Sequence, residues 1–156
     1  MTTETLEPGE SIIDPSDELL YRQITPPLFD EEKNQPASFA FGPQNCDKGK
    51  ASYSRSSKVT AQEARDWHCA NSSKPSLGVW AVTSSEAQKG PLRCVDDWTD
   101  DNQSQTEKMA PGHCYLDFRG FSKPKQRRIR AILLRFALKR GEIPTNKPQV
   151  SSDSAD

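Results

Sequence analysis

The chain has 156 residues, a net charge of −1, 33% hydrophobic residues and 12 prolines, which suits one folded domain and is too short for two ordinary ones. Its longest apolar run, "AILLRFAL", contains an arginine and is too short to span a bilayer. The acidic N-terminus lacks the apolar region of a secretory signal, so we expect a soluble, cytoplasmic protein with no membrane partner.

The first part of the chain predicts an acidic tail and then a series of short strands. Residues 1–19 are rich in Thr, Glu, Pro and Ser, which is typical of a disordered tail. We expect a single α+β domain over residues 20–141. Its first strand covers residues 21–24 and ends at two prolines, which lack the N–H that a strand needs. "SFAFG" and "ASYSRSSKV" are interpreted as further strands.

The middle of the domain predicts a helix followed by the best strand. Thr60 and Glu63 have the spacing of a capping box, which marks the start of a helix through "TAQEARDWHCAN". "LGVWAVT" is almost continuously apolar, which favours a central strand covered on both faces. "SSEAQKG" is interpreted as a turn or one helical turn, and "PLRCVDDW" as a strand.

"HCYLDF", residues 113–118, is the last predicted strand. Because side chains alternate along a strand, Cys114, Leu116 and Phe118 face the core. His113, Tyr115 and Asp117 share the other face, where the carboxylate of Asp117 is a candidate partner for the imidazole. His113 lies where a loop enters the strand, a position at which functional side chains are often displayed. The alternative is a hydrogen-bonded structural histidine.

No metal site is expected. Adjacent residues point in different directions in both strands and helices, so neither His-Cys dipeptide, His68-Cys69 or His113-Cys114, chelates a metal as a pair. The four cysteines contain no CxxC motif and are expected to be reduced and mostly buried. The acidic "DDWTDD" and the segment that follows it, "TDDNQSQTEKMAPG", are interpreted as an exposed loop, since the residue pattern of a calcium loop is missing.

The last helix is predicted over "SKPKQRRIRAILLRFALKRG", with Ser122 as its cap and Gly141 as its stop. At helical spacing Ile129, Ile132, Leu133 and Phe136 form one apolar face. Residues 142–156 are polar and are expected to be disordered. The predicted fold is therefore a small, mostly antiparallel sheet packed by two helices, with disordered tails.

Charge is divided between the two ends of the chain. Residues 1–32 contain nine acidic residues and one arginine, whereas residues 119–140 contain nine basic residues and no acidic one. This asymmetry predicts an anionic partner for the helix, either nucleic acid, a nucleotide or an acidic protein surface. The alternative is pairing with the chain's own acidic tail. The expected partner-binding residues are Arg127, Arg128, Arg130, Arg135, Lys139 and Arg140.

An accessory protein, or a subunit of a larger assembly, that binds its partner through this helix is the favoured function, and no cofactor is needed for it. The alternative is an enzyme that uses NAD, or a nucleotide-binding domain. Arg22 on the first strand, and Tyr53 and Ser54 on a strand that leads into a helix with Glu63, resemble the layout of the ADP-ribosyltransferase-like fold. The resemblance implies that such side chains, with His113 as a further candidate, grip NAD. The later catalytic glutamate of that fold has no clear counterpart, since Glu86 lies in a predicted turn.

Overall fold

The computed structural model describes residues 5–105 and 108–147, with Cys46 described by its backbone only. Within these residues the chain forms eight strands and four α-helices. The strands are β1 Ser11–Ile12, β2 Leu19–Gln23, β3 Phe29–Asp30, β4 Gln35–Pro36, β5 Lys50–Arg55, β6 Val79–Thr83, β7 Arg93–Asp96 and β8 His113–Asp117. The helices are α1 Ala61–Asn71, α2 Ser84–Lys89, α3 Asp100–Gln103 and α4 Lys123–Arg140.

Six strands form one sheet in the order β1-β7-β8-β5-β2-β6, and every neighbouring pair in it is antiparallel. One face packs on α4, where Leu116 of β8 joins Ile129 and Leu133 in the main core. The other face packs on α1, where Tyr21 of β2 contacts a smaller cluster that includes Ala61. The predicted α+β fold with a small, mostly antiparallel sheet is confirmed, and the described residues form the two shorter helices α2 and α3 in addition to the two predicted ones.

The apolar strand β6 lies at the edge of the sheet, and the prediction of a central position is wrong. All five of its residues are nevertheless buried. Its outer side is covered by the segment after α4, where the backbone N–H of Ile143 donates to Val79 O at 2.8 Å. Arg140 donates to Ala81 O on the same strand at 2.9 Å. An edge strand covered in this way is as protected as a central one, which explains its apolar sequence.

"SFAFG" does not form the predicted strand. Residues 38–42 are a turn, in which the N–H of Ala40 donates to Ala37 O at 3.0 Å. Ala40 and Phe41 are fully buried, so the apolar letters reflect burial under the sheet. Their carbonyl groups accept hydrogen bonds from the side chains of Arg22 and Tyr53. These carbonyls are therefore not paired with a neighbouring strand.

Both ends of the domain extend further than the predicted boundaries at 20 and 141. Towards the N-terminus, β1 pairs with β7 and Ile13 is buried in the core. Beyond α4, Thr145 accepts a hydrogen bond from Arg65 at 2.8 Å, and Asn146 donates its N–H to Gln62 at 2.6 Å. Apolar residues at 13 and 143 anchor these segments in otherwise polar stretches. The remaining parts of the predicted tails, residues 1–4 and 148–156, lie outside the described residues.

The buried face of α4 is rotated from the predicted one. Ile129, Leu133 and Ala137 are buried against the sheet, whereas Ile132 and Phe136 are only half-buried at its border. The small side chain of Ala137 permits a close approach to the sheet. A hydrophobic pattern gives isoleucine more weight than alanine, so it does not predict that Ala137 is buried in place of Ile132. The predicted centre of the buried face therefore lies one residue away from the observed one.

The end of β8 carries a buried ion cluster. Asp117 accepts from Arg93 at 2.8 Å and from Arg119 at 2.8 Å, and its side chain is only 2% exposed. Burial alone would raise the pKa of Asp117, but the hydrogen bonds from Arg119 and Arg93 lower it below its ordinary value of 3.8. Asp117 is thus held as a carboxylate by two arginines, and it is not the partner of His113.

This cluster predicts an acid-sensitive contribution to stability. The pKa of Asp117 is lower in the folded than in the unfolded state, where it is about 3.9. The carboxylate therefore contributes to the free energy of unfolding above the unfolded-state pKa, and this contribution is lost as the pH falls through the folded-state pKa. We expect Asp117→Asn to lower the free energy of unfolding by about 1–3 kcal/mol at pH 6, and the difference from wild type to shrink below about pH 4. Urea unfolding at pH 6, 4 and 3 measures this. Asp101→Asn, at an exposed residue, is the control; an unchanged Asp117→Asn difference at pH 3 would contradict the assignment.

Candidate functional site

A cleft of about 270 Å³ is lined by β2, β5, α1 and the loop before β8. The ladder between β2 and β5 has only two residue pairs, Leu20–Arg55 and Tyr21–Ser54, and the next residues of both strands line the cleft. All four candidate catalytic residues predicted from the sequence, Arg22, Tyr53, Ser54 and His113, are among the lining residues. The structure therefore brings them together, although it gives them different roles.

Arg22 has a structural role. Its Nε donates to Ala40 O at 2.9 Å, and its two terminal nitrogens donate to Ser52 O and Gly42 O, each at 2.8 Å. The residue is 5% exposed. Every guanidinium nitrogen thus already holds a backbone carbonyl, and together they tie the turn at residues 38–42 to the sheet. The expected role in gripping NAD would require breaking these bonds.

Tyr53 is also structural. Its hydroxyl donates to Phe41 O at 2.6 Å, and its ring lies under the guanidinium of Arg22 at 5.3 Å. Burial raises the pKa of this phenol well above its usual range. Arg22 and Tyr53 thus bind the three consecutive carbonyl groups of residues 40–42 and fix the turn beside the cleft.

Ser54 and His113 are directly opposite each other on β5 and β8. The neighbouring pair is hydrogen-bonded, since the N–H of Arg55 donates to Gly112 O at 2.9 Å. In an antiparallel ladder such pairs alternate with pairs whose side chains lie closer together. Ser54 and His113 are a close pair of this second kind, on the face of the sheet that lines the cleft.

The imidazole of His113 is held by a carboxylate, but not the expected one. Its Nδ1 lies 2.6 Å from Asp97 Oδ1, and the two side chains are 17% and 14% exposed. Asp97 comes from the "DDWTDD" segment, whose Asp96 pairs with Arg55 at 2.8 Å. The first two acids of that segment are therefore engaged with the sheet, and the interpretation of an exposed loop is wrong for them.

The other walls of the cleft add aromatic and basic groups that the sequence did not single out as a site. Trp67 and His68 line it from α1, and Lys108 lines it from the loop before β8. Burial lowers the pKa of His68, and the charge of Arg22 lowers it further. The His68 ring contacts Lys74 O at 2.8 Å. No local pattern connects these residues with Ser54, because the fold brings them together from distant parts of the chain.

The basic helix α4 uses two of its six predicted partner-binding residues inside the domain. Arg140 pairs with Glu86 at 2.8 Å. The side chain of Arg130 packs on Gly42, where even a Cβ would collide with it, and burial lowers its pKa, with the charge of Arg127 as a second cause. Arg127, Arg128, Arg135 and Lys139 are exposed. Among the described residues none of these four forms an ion pair.

An apolar groove of about 200 Å³ runs along the exposed side of α4 between Ile132 and Phe136, with Arg135 and Lys139 beside it. The chain's own acidic segment does not cover it within the described residues. Glu10 accepts from Tyr115 at 3.1 Å and Glu18 from Arg55 at 2.7 Å, both away from α4. The described part of the N-terminal segment is therefore not the counter-charge of the helix.

The described cysteines are buried or half-buried thiols. Burial raises the pKa of Cys94 to about 12 and that of Cys114 well above its ordinary value, while Cys69 is half-buried and free. Within residues 5–105 and 108–147, no group of three or more His, Cys, Asp or Glu is placed to hold a metal ion. The same residues include no helix of the length and apolar character that a bilayer requires.

No family model matches the chain, and no curated protein or solved structure matches it. The resemblance to the ADP-ribosyltransferase-like layout gains no support from these comparisons, and Arg22 and Tyr53 are both engaged in holding a turn. Functional inference for this chain therefore rests on two surfaces: the cleft with Ser54 and His113, and the exposed side of α4.

Proposed function

We propose that this is a binding or accessory protein that docks through α4 onto an acidic segment of a partner protein. The observation that carries the proposal is the exposed side of the helix. There, Arg135 and Lys139 line the groove between Ile132 and Phe136. Arg127 and Arg128 are two further exposed cations of the same helix, and none of the four forms an ion pair among the described residues. We name this surface, formed by Arg127, Arg128, Ile132, Arg135, Phe136 and Lys139, the α4 surface.

The combination of charge and apolar area favours a protein over a nucleic acid. Binding to phosphates is mainly electrostatic and needs no apolar groove. Protein interfaces, in contrast, are enriched in aromatic residues and arginine, and their strongest contacts are apolar side chains seated in pockets inside a polar rim. Phe136 beside Arg135 and Lys139 fits that description. Acidic groups on the partner would accelerate association and set its orientation.

A charge variant tests the electrostatic part. We expect Arg127, Arg128, Arg135 and Lys139, changed together to Gln, to weaken binding of an amphipathic Glu/Leu helical peptide by at least about tenfold, which corresponds to about 1.4 kcal/mol. Fluorescence anisotropy with a labelled peptide at 50 and 300 mM NaCl measures this. In the matched control, four lysines that are exposed outside the α4 surface are changed to Gln, which gives the same net charge as the first variant: Lys33, Lys58, Lys74 and Lys89. We expect the affinity of this control for the peptide to stay within about twofold of wild type, since the α4 surface is intact.

A second variant tests the apolar part of the α4 surface. Phe136→Ser should weaken binding of the Glu/Leu peptide but leave binding of polyglutamate unchanged, because only the former has an apolar side chain for the groove. A duplex oligonucleotide that binds more tightly than the peptide, with the same affinity for wild type and Phe136→Ser, would contradict the proposal and favour nucleic acid. Lack of salt-sensitive binding to the peptide would also contradict it.

A further inference from the structure

Ser54, His113 and Asp97 lie close together at the cleft. Asp97 Oδ1 lies 2.6 Å from His113 Nδ1, so the carboxylate holds one ring nitrogen and leaves Nε2 unused by the described residues. Ser54 is the cross-strand neighbour of His113. It lines the same cleft, and its hydroxyl has no hydrogen-bond partner among the described residues. A hydroxyl, an imidazole and a carboxylate in this order are the parts of a nucleophilic site.

We propose that the cleft is a hydrolytic site for small carboxylic esters, with Ser54 as the nucleophile and His113 as the general base. Asp97 is a positioning residue that holds the imidazole through Nδ1. This activity is separate from docking through the α4 surface and does not depend on it. The volume of about 270 Å³ limits the substrate to a small molecule, and Tyr21, Trp67 and Ala110 provide apolar walls for its acyl or alcohol part.

The position of Asp97 is fixed by its surroundings. It directly follows β7, and its backbone carbonyl accepts from the side chain of Asn102 in α3 at 2.7 Å. The start of α3 is itself capped by Thr99, which accepts from the N–H of Asn102 at 3.2 Å. The carboxylate is therefore presented to His113 by a short, locally braced segment, as an orienting group requires.

A donor for the carbonyl oxygen of a substrate is also present. Gln23 lines the cleft, and its side-chain nitrogen is buried without a hydrogen-bond partner among the described residues. Its oxygen accepts from Ser76 at 2.7 Å, which assigns the remaining amide group as a donor. Buried donors without partners are rare in folded proteins, and a donor near the reacting carbonyl stabilises the negative charge that develops there.

The reaction proceeds in two balanced steps. In the first, Ser54 Oγ forms a bond to the acyl carbon and the bond from that carbon to the alcohol oxygen breaks. The proton of Ser54 passes to His113 Nε2 and then to the departing alcohol. In the second, water gives a proton to Nε2 and its oxygen bonds to the acyl carbon. The acyl–serine bond breaks, and the proton returns to Ser54 as the carboxylic acid leaves.

The test uses a fluorophosphonate probe and p-nitrophenyl acetate on the full chain. We expect mass spectrometry to find the probe on Ser54 of the wild type and on no serine of Ser54→Ala. Ser73→Ala is the matched control, because Ser73 is exposed and lies outside the cleft lining, and this variant should be labelled on Ser54 as fast as wild type. His113→Gln should slow labelling and ester turnover by at least about a hundredfold.

Asp97→Asn separates positioning from folding. We expect it to lower kcat for p-nitrophenyl acetate by at least about tenfold while KM stays within about twofold, because the cleft itself is unchanged. Thermal unfolding of each variant identifies any loss of fold. If His113→Gln is unfolded, the labelling of Ser54→Ala, which is the smallest of the changes, still decides whether Ser54 is the nucleophile. Lack of labelling in the wild type, labelling that persists in Ser54→Ala, or equal rates in folded His113→Gln would overturn the proposal.

Discussion

Replacing Arg22 with methionine is expected to lower the free energy of unfolding by about 3–5 kcal/mol, among the largest effects for a single substitution. Methionine can occupy much of the same space, but it donates no hydrogen bond. The carbonyls of Ala40 and Gly42, which now accept from the guanidinium, would remain buried without that donor, and the part-buried carbonyl of Ser52 would lose it as well. Each such loss costs about 1–3 kcal/mol, and water entering the cleft would offset part of it. Urea unfolding followed by tryptophan fluorescence measures the change.

Arg128→Met is the matched control for this experiment. Arg128 is exposed on α4, so the same chemical change there should alter the free energy of unfolding by less than about 0.5 kcal/mol. If Arg22→Met were as stable as wild type, the turn at residues 38–42 would not depend on the guanidinium. Arg22 would then become available for a ligand, as the sequence interpretation expected.

Leu133→Ala is expected to destabilise the domain by about 3–5 kcal/mol, the cost typical of a cavity in a well-packed core. Leu133 is fully buried between α4 and the sheet, and neighbouring side chains cannot collapse into the space because the strands are fixed. The adjacent Ile132 lies at the border of the helix, so we expect Ile132→Ala to cost less than about 1.5 kcal/mol. Thermal and urea unfolding of the two variants measure this.

This neighbouring pair tests the rotation of α4. The sequence pattern gave Ile132 and Leu133 equal places on one apolar face, whereas the structure buries only Leu133. Equal losses from the two alanine variants would favour the predicted face. In that case the groove beside Ile132 and Phe136 would belong to the core, and the α4 surface would lose its apolar part.

Local patterns predicted most of the secondary structure correctly. The Thr60–Glu63 capping box forms as expected, and alternation placed Cys114, Leu116 and Phe118 in the core. The errors occurred where burial came from elsewhere in the chain. β6 is apolar because residues 140–143 cover its edge, and "SFAFG" is apolar because it forms a turn, held by Arg22, in which Ala40 and Phe41 are buried. A single stretch of sequence carries no information about which distant segment covers it.

The four residues that the sequence grouped lie at one cleft, but their hydrogen-bond partners differ from the expected ones. Arg22, Tyr53, Ser54 and His113 do line one cleft. They were grouped by the resemblance to a known layout, since alternation alone places Tyr53 and Ser54 on opposite faces of β5. The partner of His113 was missed, since Asp97 is sixteen positions away and Asp117 was the nearer acid on the predicted face. The hydrogen bonds from Arg22 to the turn at residues 38–42 were also missed, because bonds from a side chain to distant carbonyls produce no periodic pattern in the sequence.

The covered edge of β6 has a consequence for how this protein behaves in concentrated solution. "VWAVT" combines β-branched and aromatic residues without a charge, the composition of segments that stack into intermolecular sheets. One bridge from Ile143 and one hydrogen bond from Arg140 occupy the backbone groups that a second copy would otherwise pair with. Residues 140–143 thus cover part of the edge of β6 that a second copy would otherwise meet. A chain cut after Arg140 would keep the hydrogen bond from Arg140 but lose the bridge from Ile143, and we expect it to form fibrils more readily than the full chain.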